Sequence, residues 1–185
     1  MGEGKVYITI LEFARKILCK IQIDWMQWGR KVVYMIREIL KDDLDGLLRL
    51  YMQLHDNPMP KKTAELVQIW DDIFQDKNHH VIVAEENGEI VSSCICVIIP
   101  NLTHNQQPYA FIENVITDEK SRKRGLATQC LNFAKEIAQK ENCYKMMLLT
   151  GSKKESTLDF YRKAGYNSDD KTAFIQWISH GKGNA

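Results

Sequence analysis

A short basic turn carries the strongest chemical signal in this chain of 185 residues. It reads Arg122-Lys123-Arg124-Gly125-Leu126-Ala127-Thr128. A strand-like run, Tyr109–Thr117, precedes it, and a helix-like run, Leu126–Lys140, begins within it. Because the first N–H groups of a helix lack partners inside the helix, and the helix dipole adds partial positive charge, such a turn attracts anions. The basic side chains add to this attraction. The turn therefore predicts a site for a phosphate or pyrophosphate group.

The spacing within the turn excludes two common phosphate-binding loops. The turn has neither the Gly-x-x-x-x-Gly-Lys-Ser/Thr pattern of nucleotide triphosphatases nor the Gly-x-Gly-x-x-Gly of dinucleotide-binding folds. Arg122, Gly125 and Ala127 instead fit Arg/Gln-x-x-Gly-x-Gly/Ala. This pattern resembles the acetyl-CoA-binding motif of the GNAT family of N-acetyltransferases.

The segments around the turn extend the resemblance over about residues 32 to 179. Ala110–Asp118 is similar to the central strand of the family and the acidic turn after it. Tyr144–Thr150 is a candidate buried strand. Thr157–Tyr166 resembles the closing signature, a helix with Phe-Tyr, three residues, then glycine and an aromatic residue.

The resemblance implies that the cofactor is acetyl-CoA and that the turn holds its pyrophosphate. It also implies that Val115 and Thr117 pair through their backbones with the pantetheine arm, and that an N–H near Val115 stabilises the oxyanion. Many members carry asparagine where this chain has Lys154, so Lys154 makes a similar contact or the contact is missing. The predicted cofactor-binding residues are Val115, Thr117, Arg122, Lys123, Arg124, Gly125, Leu126, Ala127, Thr128 and Lys154.

Two residues are candidates for proton transfer. Glu113, on the strand that lines the implied cleft, is the candidate general base; the alternative is an ordinary solvated or salt-bridged strand residue. Tyr161 is the candidate general acid, since the resemblance places its phenol where the departing thiolate needs a proton. Three histidines, His79, His80 and His104, are alternative bases.

Composition narrows the class of protein. The length suits one domain, and a net charge of +1 gives no basic field for nucleic acid. Five scattered cysteines, most of them in apolar runs, indicate reduced packing residues and a cytoplasmic location. Cys94 and Cys96 alternate on a strand, but no further ligands stand at metal-binding spacing, so no metal site is expected.

The pattern of elements predicts an α+β fold in three layers, with a mixed central sheet flanked by helices. Asn87-Gly88 between two apolar runs is a hairpin signal. The predicted order is strand 32–40, helix from 44, helix 63–74, strands 80–85, 89–99 and 109–117, helix 126–140, strand 144–150, the closing-signature helix, and strand 172–179.

Residues 1–31 are predicted to form an amphipathic helical extension, before an acetyltransferase domain at 32–180 and a tail at 181–185. The run Val6–Ile23 is apolar over most of a helix, but charges interrupt it, so it is not a transmembrane span. Its apolar face must be covered by its own domain, by a second subunit in a homodimer, or by a membrane surface, and the last is disfavoured because its polar face is not strongly cationic.

The sequence therefore predicts an N-acetyltransferase that moves an acetyl group from acetyl-CoA to a primary amine of a small molecule in a ternary complex. Acetylation of a peptide or protein amine, and a non-catalytic acyl-CoA-binding regulatory module, stay open as alternatives. A protein–protein adaptor explains only the first thirty or so residues.

Overall fold

The computed structural model describes residues 20–27, 30–55 and 58–178. The strands in this part of the chain are β1 Lys20–Gln27, β2 Arg30–Glu38, β3 His79–Glu86, β4 Glu89–Ile99, β5 Tyr109–Thr117 and β6 Met146–Leu148. The helices are α1 Leu44–His55, α2 Ala64–Gln75, α3 Leu126–Lys140 and α4 Glu155–Lys163.

The sheet is mixed, as predicted. Strands β1 to β5 pair antiparallel in chain order. The chain then crosses through α3 and returns beside the start of β5, where Ala110 N–H donates to the Lys145 carbonyl at 2.9 Å and Tyr144 N–H donates to the Pro108 carbonyl at 3.0 Å. In these two bonds the residue numbers of both segments increase in the same direction, so β6 starts parallel to β5. The predicted α+β fold class is confirmed.

The helices cover both faces of the sheet because the central strands are apolar on both sides. One buried cluster joins Leu47 of α1 and Trp70 of α2 to Val81, Val83 and Ile95 of the sheet. Alternate residues face the other way, toward α3, and include the fully buried Ile82 and Cys94. The three-layer arrangement follows from this period of two.

Helix α1 is fixed near both ends. At its start, Arg37 Nη1 lies 2.6 Å from Asp43 Oδ2, which also accepts the Leu40 N–H at 2.7 Å. Near its end, Gln53 Nε2 donates to Asp118 Oδ2 at 2.7 Å. Since Asp118 directly follows β5, these contacts hold the last turn of α1 against the end of β5.

The chain divides into two compact units, residues 1–146 and 147–185. The first holds β1 to β5 with α1, α2 and α3, and the second holds α4. The predicted boundaries after residues 31 and 180 stay predictions. Among the helices of the described residues, none is both long and apolar enough to cross a membrane.

Two predicted elements are wrong in part. Residues 20–27 and 30–31 of the predicted helical extension lie in strands, in β1 and at the start of β2, which pair with each other from Lys20 opposite Ile36 onward. A short apolar run does not decide between helix and strand, and pairing with β2 decides here. Residues 1–19, the rest of that helix, lie outside the described residues.

The last predicted strand is also absent from the described residues. Residues 171–178 have no regular secondary structure, and Phe174 and Trp177 are 92% and 74% exposed. Strand-forming side chains stabilise a strand only where a neighbour pairs with it, so the sequence pattern alone was insufficient. Of the strand predicted at 144–150, only β6, Met146–Leu148, forms.

Candidate active site

The backbone of the basic turn is shaped by residues in the left-handed region. A short 3-10 turn, Glu119–Ser121, links β5 to it, and Asp118 starts that turn by accepting the Lys120 N–H at 2.9 Å. Lys123 then has φ +62° and Gly125 has φ +77°. Gly125 is the N-cap of α3 and offers no capping side chain, and the first turn of α3 contains no acidic residue. The helix dipole is therefore uncompensated where the anion site was predicted.

The three basic side chains of the turn differ in their partners. Arg124 makes two parallel bonds to Glu86 at the end of β3, with Nη1 at 2.8 Å from Oε2 and Nη2 at 2.9 Å from Oε1. Arg122 is exposed, with Nε donating to the Thr117 carbonyl at 3.2 Å and Nη2 at 3.6 Å from Glu119. Lys123 is exposed as well. Arg124 therefore anchors the turn to β3, while Arg122 and Lys123 face solvent.

Strand β5 contains a bulge next to Glu113. Ser93 of β4 pairs with Ile116, and Ile95 pairs with Glu113, so one residue of β4 stands opposite two of β5, Asn114 and Val115. Asn114 has φ +49°. A bulge interrupts the ladder and turns backbone groups away from the neighbouring strand. The N–H groups near Val115 are thus redirected at the position where an oxyanion donor was predicted.

The side chains that flank the bulge have different environments. Glu113 is exposed, and within the described part of the chain its carboxylate makes neither a hydrogen bond nor an ion pair. Thr117 is engaged, since its hydroxyl lies 2.8 Å from Ser92 Oγ. Glu113 is therefore accessible to a water or an amine, and the end of β5 is held firmly to β4.

Asp118 lies between the end of β5 and the 3-10 turn that leads to the basic turn. The pKa of its carboxyl is lowered chiefly by the hydrogen bond from Gln53, and further by the Lys120 N–H and by the charges of Lys120 and Arg122. The residue is thus ionised and fixed at the start of the 3-10 turn.

Tyr161 and Lys154 lie in the second unit, which is described by itself. Tyr161 is half-buried on α4 between Phe160 and Tyr166, with ring centroids at 4.9 and 6.1 Å. Gly165, at φ +92°, ends the helix, and Tyr166 N–H donates to the Tyr161 carbonyl at 3.0 Å. The signature thus forms a closed helix end that fixes the Tyr161 ring. Lys154 is exposed at the N-cap of α4, where its N–H donates to Ser152 Oγ at 3.3 Å.

The alternative histidine bases have other surroundings. His80 Nδ1 lies 2.5 Å from Glu38 Oε1, and the His104 ring stacks on Tyr144 at 4.0 Å. Burial lowers the pKa of His79. His79 and His80 also belong to β3, two strands or about 10 Å from β5. No group of three or more potential metal ligands occurs among the described residues.

Comparison with known proteins identifies the family. The model of the acetyltransferase (GNAT) family matches residues 34–166, which span β2 to the end of the closing signature. The chain belongs to the GNAT family. The three-layer fold and the turn at the start of α3 are therefore those of a family of acetyltransferases that use acetyl-CoA.

Individual GNAT relatives agree with this assignment. An uncharacterized N-acetyltransferase of Methanocaldococcus jannaschii is 28% identical over 152 residues, which cover 78% of this chain but 65% of that protein. The glucosamine 6-phosphate N-acetyltransferase of Trypanosoma brucei brucei is 27% identical over 140 residues, covering 74% of this chain and 90% of that one. The solved structure of a putative acetyltransferase from Agrobacterium tumefaciens superposes with a TM-score of 0.71 at 36% identity, covering 77% of this chain and 99% of that chain.

The sequence did not reveal several residues that shape this GNAT site. Glu86 anchors Arg124 from 38 positions away, and no local pattern marks that pairing. Asn114 had a weak signal, because asparagine is uncommon inside strands and tolerates the left-handed region. Tyr51 of α1 gave no such signal, yet its phenol oxygen is buried without a hydrogen-bond partner among the described residues.

Proposed function

We propose that the chain transfers an acetyl group from acetyl-CoA to a primary amine of a small molecule by direct attack in a ternary complex. The observation that carries this is one continuous strand–turn–helix segment. It joins an exposed carboxylate at Glu113, a bulge at Asn114 and an uncompensated helix start after Gly125. Acetyl transfer needs these three things next to one another: a base, an oxyanion donor and an anion site.

The proposed reaction forms one bond and breaks one. The amine nitrogen attacks the thioester carbonyl carbon, and the negative charge that develops on the carbonyl oxygen is stabilised by the N–H of Val115. Glu113 takes the proton of the amine through a water. The C–S bond then breaks, and Tyr161 gives its proton to the departing thiolate. Tyr161 is proposed for this role because of the closing-signature motif in which it lies.

The proposed cofactor contacts follow the order of the chain. Val115 and Thr117 pair through their backbones with the pantetheine arm. The backbone N–H groups from Gly125 to Thr128 hold the pyrophosphate, and the exposed Arg122 and Lys123 supply charge for it or for the ribose phosphate. Arg124 contributes through its backbone, since its side chain is engaged by Glu86. Lys154 is proposed as a peripheral contact at the N-cap of α4.

A small, amine-bearing acceptor is favoured by the similarity to the T. brucei protein, whose name states glucosamine 6-phosphate as substrate. We also infer a cytoplasmic location, supported by the free thiols of Cys94, Cys96, Cys130 and Cys143. The predicted homodimer depends on the apolar run Val6–Ile23, of which residues 6–19 lie outside the described part of the chain.

The test is release of free thiol from acetyl-CoA over a panel of acceptors. The panel contains glucosamine 6-phosphate, an aminoglycoside, simple primary amines and a lysine peptide, with a blank that lacks acceptor. Release that depends on a small amine, with the acetylated product seen by mass spectrometry, supports the proposal. Release with the peptide alone selects a peptide amine instead. Binding of acetyl-CoA in calorimetry without turnover on any acceptor identifies a regulatory acyl-CoA-binding module.

A further inference from the structure

Two neighbouring strands each bond to the start of α3. Tyr34 of β2 and Glu86 of β3 stand directly opposite each other in the sheet, so their side chains emerge on the same face. Gln129 Nε2 donates to Tyr34 Oη at 2.6 Å. Arg124 makes its two parallel bonds to Glu86, as described above. Adjacent positions of the sheet therefore hold two separate points at the beginning of the helix.

These two points lie on either side of the proposed anion donors. Arg124 directly precedes Gly125, the N-cap, and Gln129 directly follows Thr128. Gln129 closes the first turn of the helix, since its own N–H donates to the Gly125 carbonyl at 3.0 Å. The N–H groups that a helix leaves for an anion come before this bond. The N–H groups of residues 125–128 thus lie between two anchors, and they are the ones proposed to hold the pyrophosphate.

The bond to Tyr34 is largely shielded from water, because Tyr34 is only 2% exposed. The other atom of the amide, Gln129 Oε1, is buried and has no hydrogen-bond partner among the described residues. A buried polar atom left unpaired is costly, and a methionine of similar length would avoid that cost. The amide of Gln129 therefore does not serve packing alone. What it adds is the bond that fixes α3 on β2.

Two anchors do what one cannot. A pyrophosphate accepts hydrogen bonds from several N–H groups at once, so those groups must point toward a common place. An anchor at Arg124 alone would leave the helix able to pivot on the sheet about that point. A second anchor at Gln129, five positions later in the chain, fixes the first turn at both ends. The directions of the N–H groups between them are then set by β2 and β3.

We propose that Tyr34 and Gln129 are positioning residues for acetyl-CoA binding. Their hydrogen bond holds the first turn of α3 on β2, so that the N–H groups of residues 125–128 keep the direction that the pyrophosphate requires. This role rests on the proposed function. Neither side chain is assigned a contact with the cofactor or with the reacting atoms. Their loss should therefore act on cofactor affinity and leave the chemical step unchanged.

The first test is Tyr34→Phe, which removes one oxygen and keeps the buried ring. We expect the KM for acetyl-CoA, and the Kd for CoA in calorimetry, to rise about fivefold, the effect of one ordinary hydrogen bond. The kcat at saturating acetyl-CoA should change less than about twofold. The matched control is Tyr109→Phe at the start of β5, where Tyr109 packs against Tyr144 and Lys145; it should leave these constants unchanged.

The second test is a cycle of Tyr34→Phe with Gln129→Met, which removes the amide and keeps the length and helix propensity of the side chain. Gln129 is only half-buried, so this variant tests the bond even if Tyr34→Phe fails to fold. If the two residues act through one bond, the double variant should weaken CoA binding no more than the more affected single variant. A bond that only stabilises the fold would lower the melting temperature and leave the Kd for CoA at the wild-type value.

The outcomes separate this role from the proposed function. A wild-type Kd for CoA in both variants, a fall in kcat without a change in affinity, or multiplying effects in the cycle would overturn the positioning role and leave the acetyltransferase proposal standing. A wild type that binds CoA but transfers to no acceptor overturns the proposed function, and the calorimetric cycle then still decides the role of Tyr34 and Gln129. A wild type that binds no CoA overturns both.

Discussion

The bulge of β5 and the basic turn before α3 both leave regular geometry, but they are held in different ways. The bulge has one left-handed residue, Asn114, and lies under α1 beside buried hydroxyls. The turn has two, Lys123 and Gly125, and is tied by the ion pair from Arg124 to Glu86, while Arg122 and Lys123 face solvent. The bulge is held by the β4 pairs on either side of it, and the turn is held by an ion pair and by its backbone.

This difference suits two separate proposed roles, alignment of the reacting carbonyl at the bulge and phosphate binding at the turn. A group that must be aligned with a reacting carbonyl to within a fraction of an ångström needs rigid support. A site that holds a multiply charged phosphate needs accessible donors and charge more than it needs rigidity. Changes at the bulge should therefore act on kcat, and changes at the turn should act on the KM for acetyl-CoA.

The largest effect is expected from Tyr161→Phe. This variant tests whether a residue of the second unit takes part in acetyl transfer. Removing the proposed acid should lower kcat by about ten- to a thousandfold, because the thiolate must then leave unprotonated. Affinity for acetyl-CoA, measured by calorimetry, should stay nearly the same. Full turnover in this variant would remove Tyr161 from the mechanism. Tyr144→Phe is the matched control in the first unit.

Glu113→Gln should produce a loss of kcat on the order of a hundredfold, since the amide cannot accept the proton of the amine. The KM for acetyl-CoA should be unaffected, and so should the melting temperature, because Glu113 is exposed and makes no contact within the described residues. Steady-state kinetics over a range of pH values measures this. An unchanged rate would favour one of the histidines or a base-free route.

Gly125→Ala tests the turn by its backbone alone. Gly125 and Gly88 have φ of +77° and +83°, and a Cβ at either position meets no protein atom within 4 Å. Both alanine variants should lose about 1 kcal/mol of unfolding free energy in urea titrations, the usual cost of a left-handed alanine. Only Gly125→Ala should also raise the KM for acetyl-CoA, by about tenfold. Equal kinetics in the two variants would contradict the assignment of the turn.

The Arg124–Glu86 pair should show a smaller effect. Arg124→Lys keeps the charge but loses the two parallel bonds, and we expect a rise of about threefold in the KM for acetyl-CoA, with a coupling to Glu86→Gln of up to about 1 kcal/mol. Arg122→Gln should weaken acetyl-CoA binding and its salt dependence without coupling to Glu86. Coupling of Arg122, instead of Arg124, to Glu86 would reverse the two assignments.

The smallest expected effect concerns acid stability. The pKa of Asp118 is lower in the folded chain than its ordinary value, chiefly through Gln53, so Asp118 stabilises the fold above its ordinary pKa. This contribution is lost as the pH falls through the lowered value. Asp118→Asn should therefore lower the unfolding free energy at neutral pH and leave it unchanged at acid pH, where wild-type Asp118 is protonated as well, so that the acid limb becomes flatter. An identical acid limb in the variant would show that the Gln53 bond is not coupled to folding.

Local patterns predicted most of the fold near the site. The Tyr109–Thr117 strand and the Leu126–Lys140 helix have the predicted bounds, and the Asn87-Gly88 hairpin is formed with both residues at positive φ. Signals of this kind depend on neighbours in sequence, so they are readable without a structure. The helix predicted through Ile23 and the strand predicted at 172–179 were wrong in the described residues, because strand formation depends on which segment pairs with which.

The sequence by itself determined the family, the basic turn before α3 and the α+β order, because the motif spacing and the periodicity of apolar residues can be read along the chain. Only the tertiary structure decided that Arg124 pairs with Glu86, that Asn114 forms a bulge beside Val115, and that Gln53 of α1 bonds to Asp118 at the end of β5. The two side-chain contacts join residues that are 38 and 65 positions apart. No local propensity encodes them, since packing of α1 and the sheet brings such residues together only when the whole core forms.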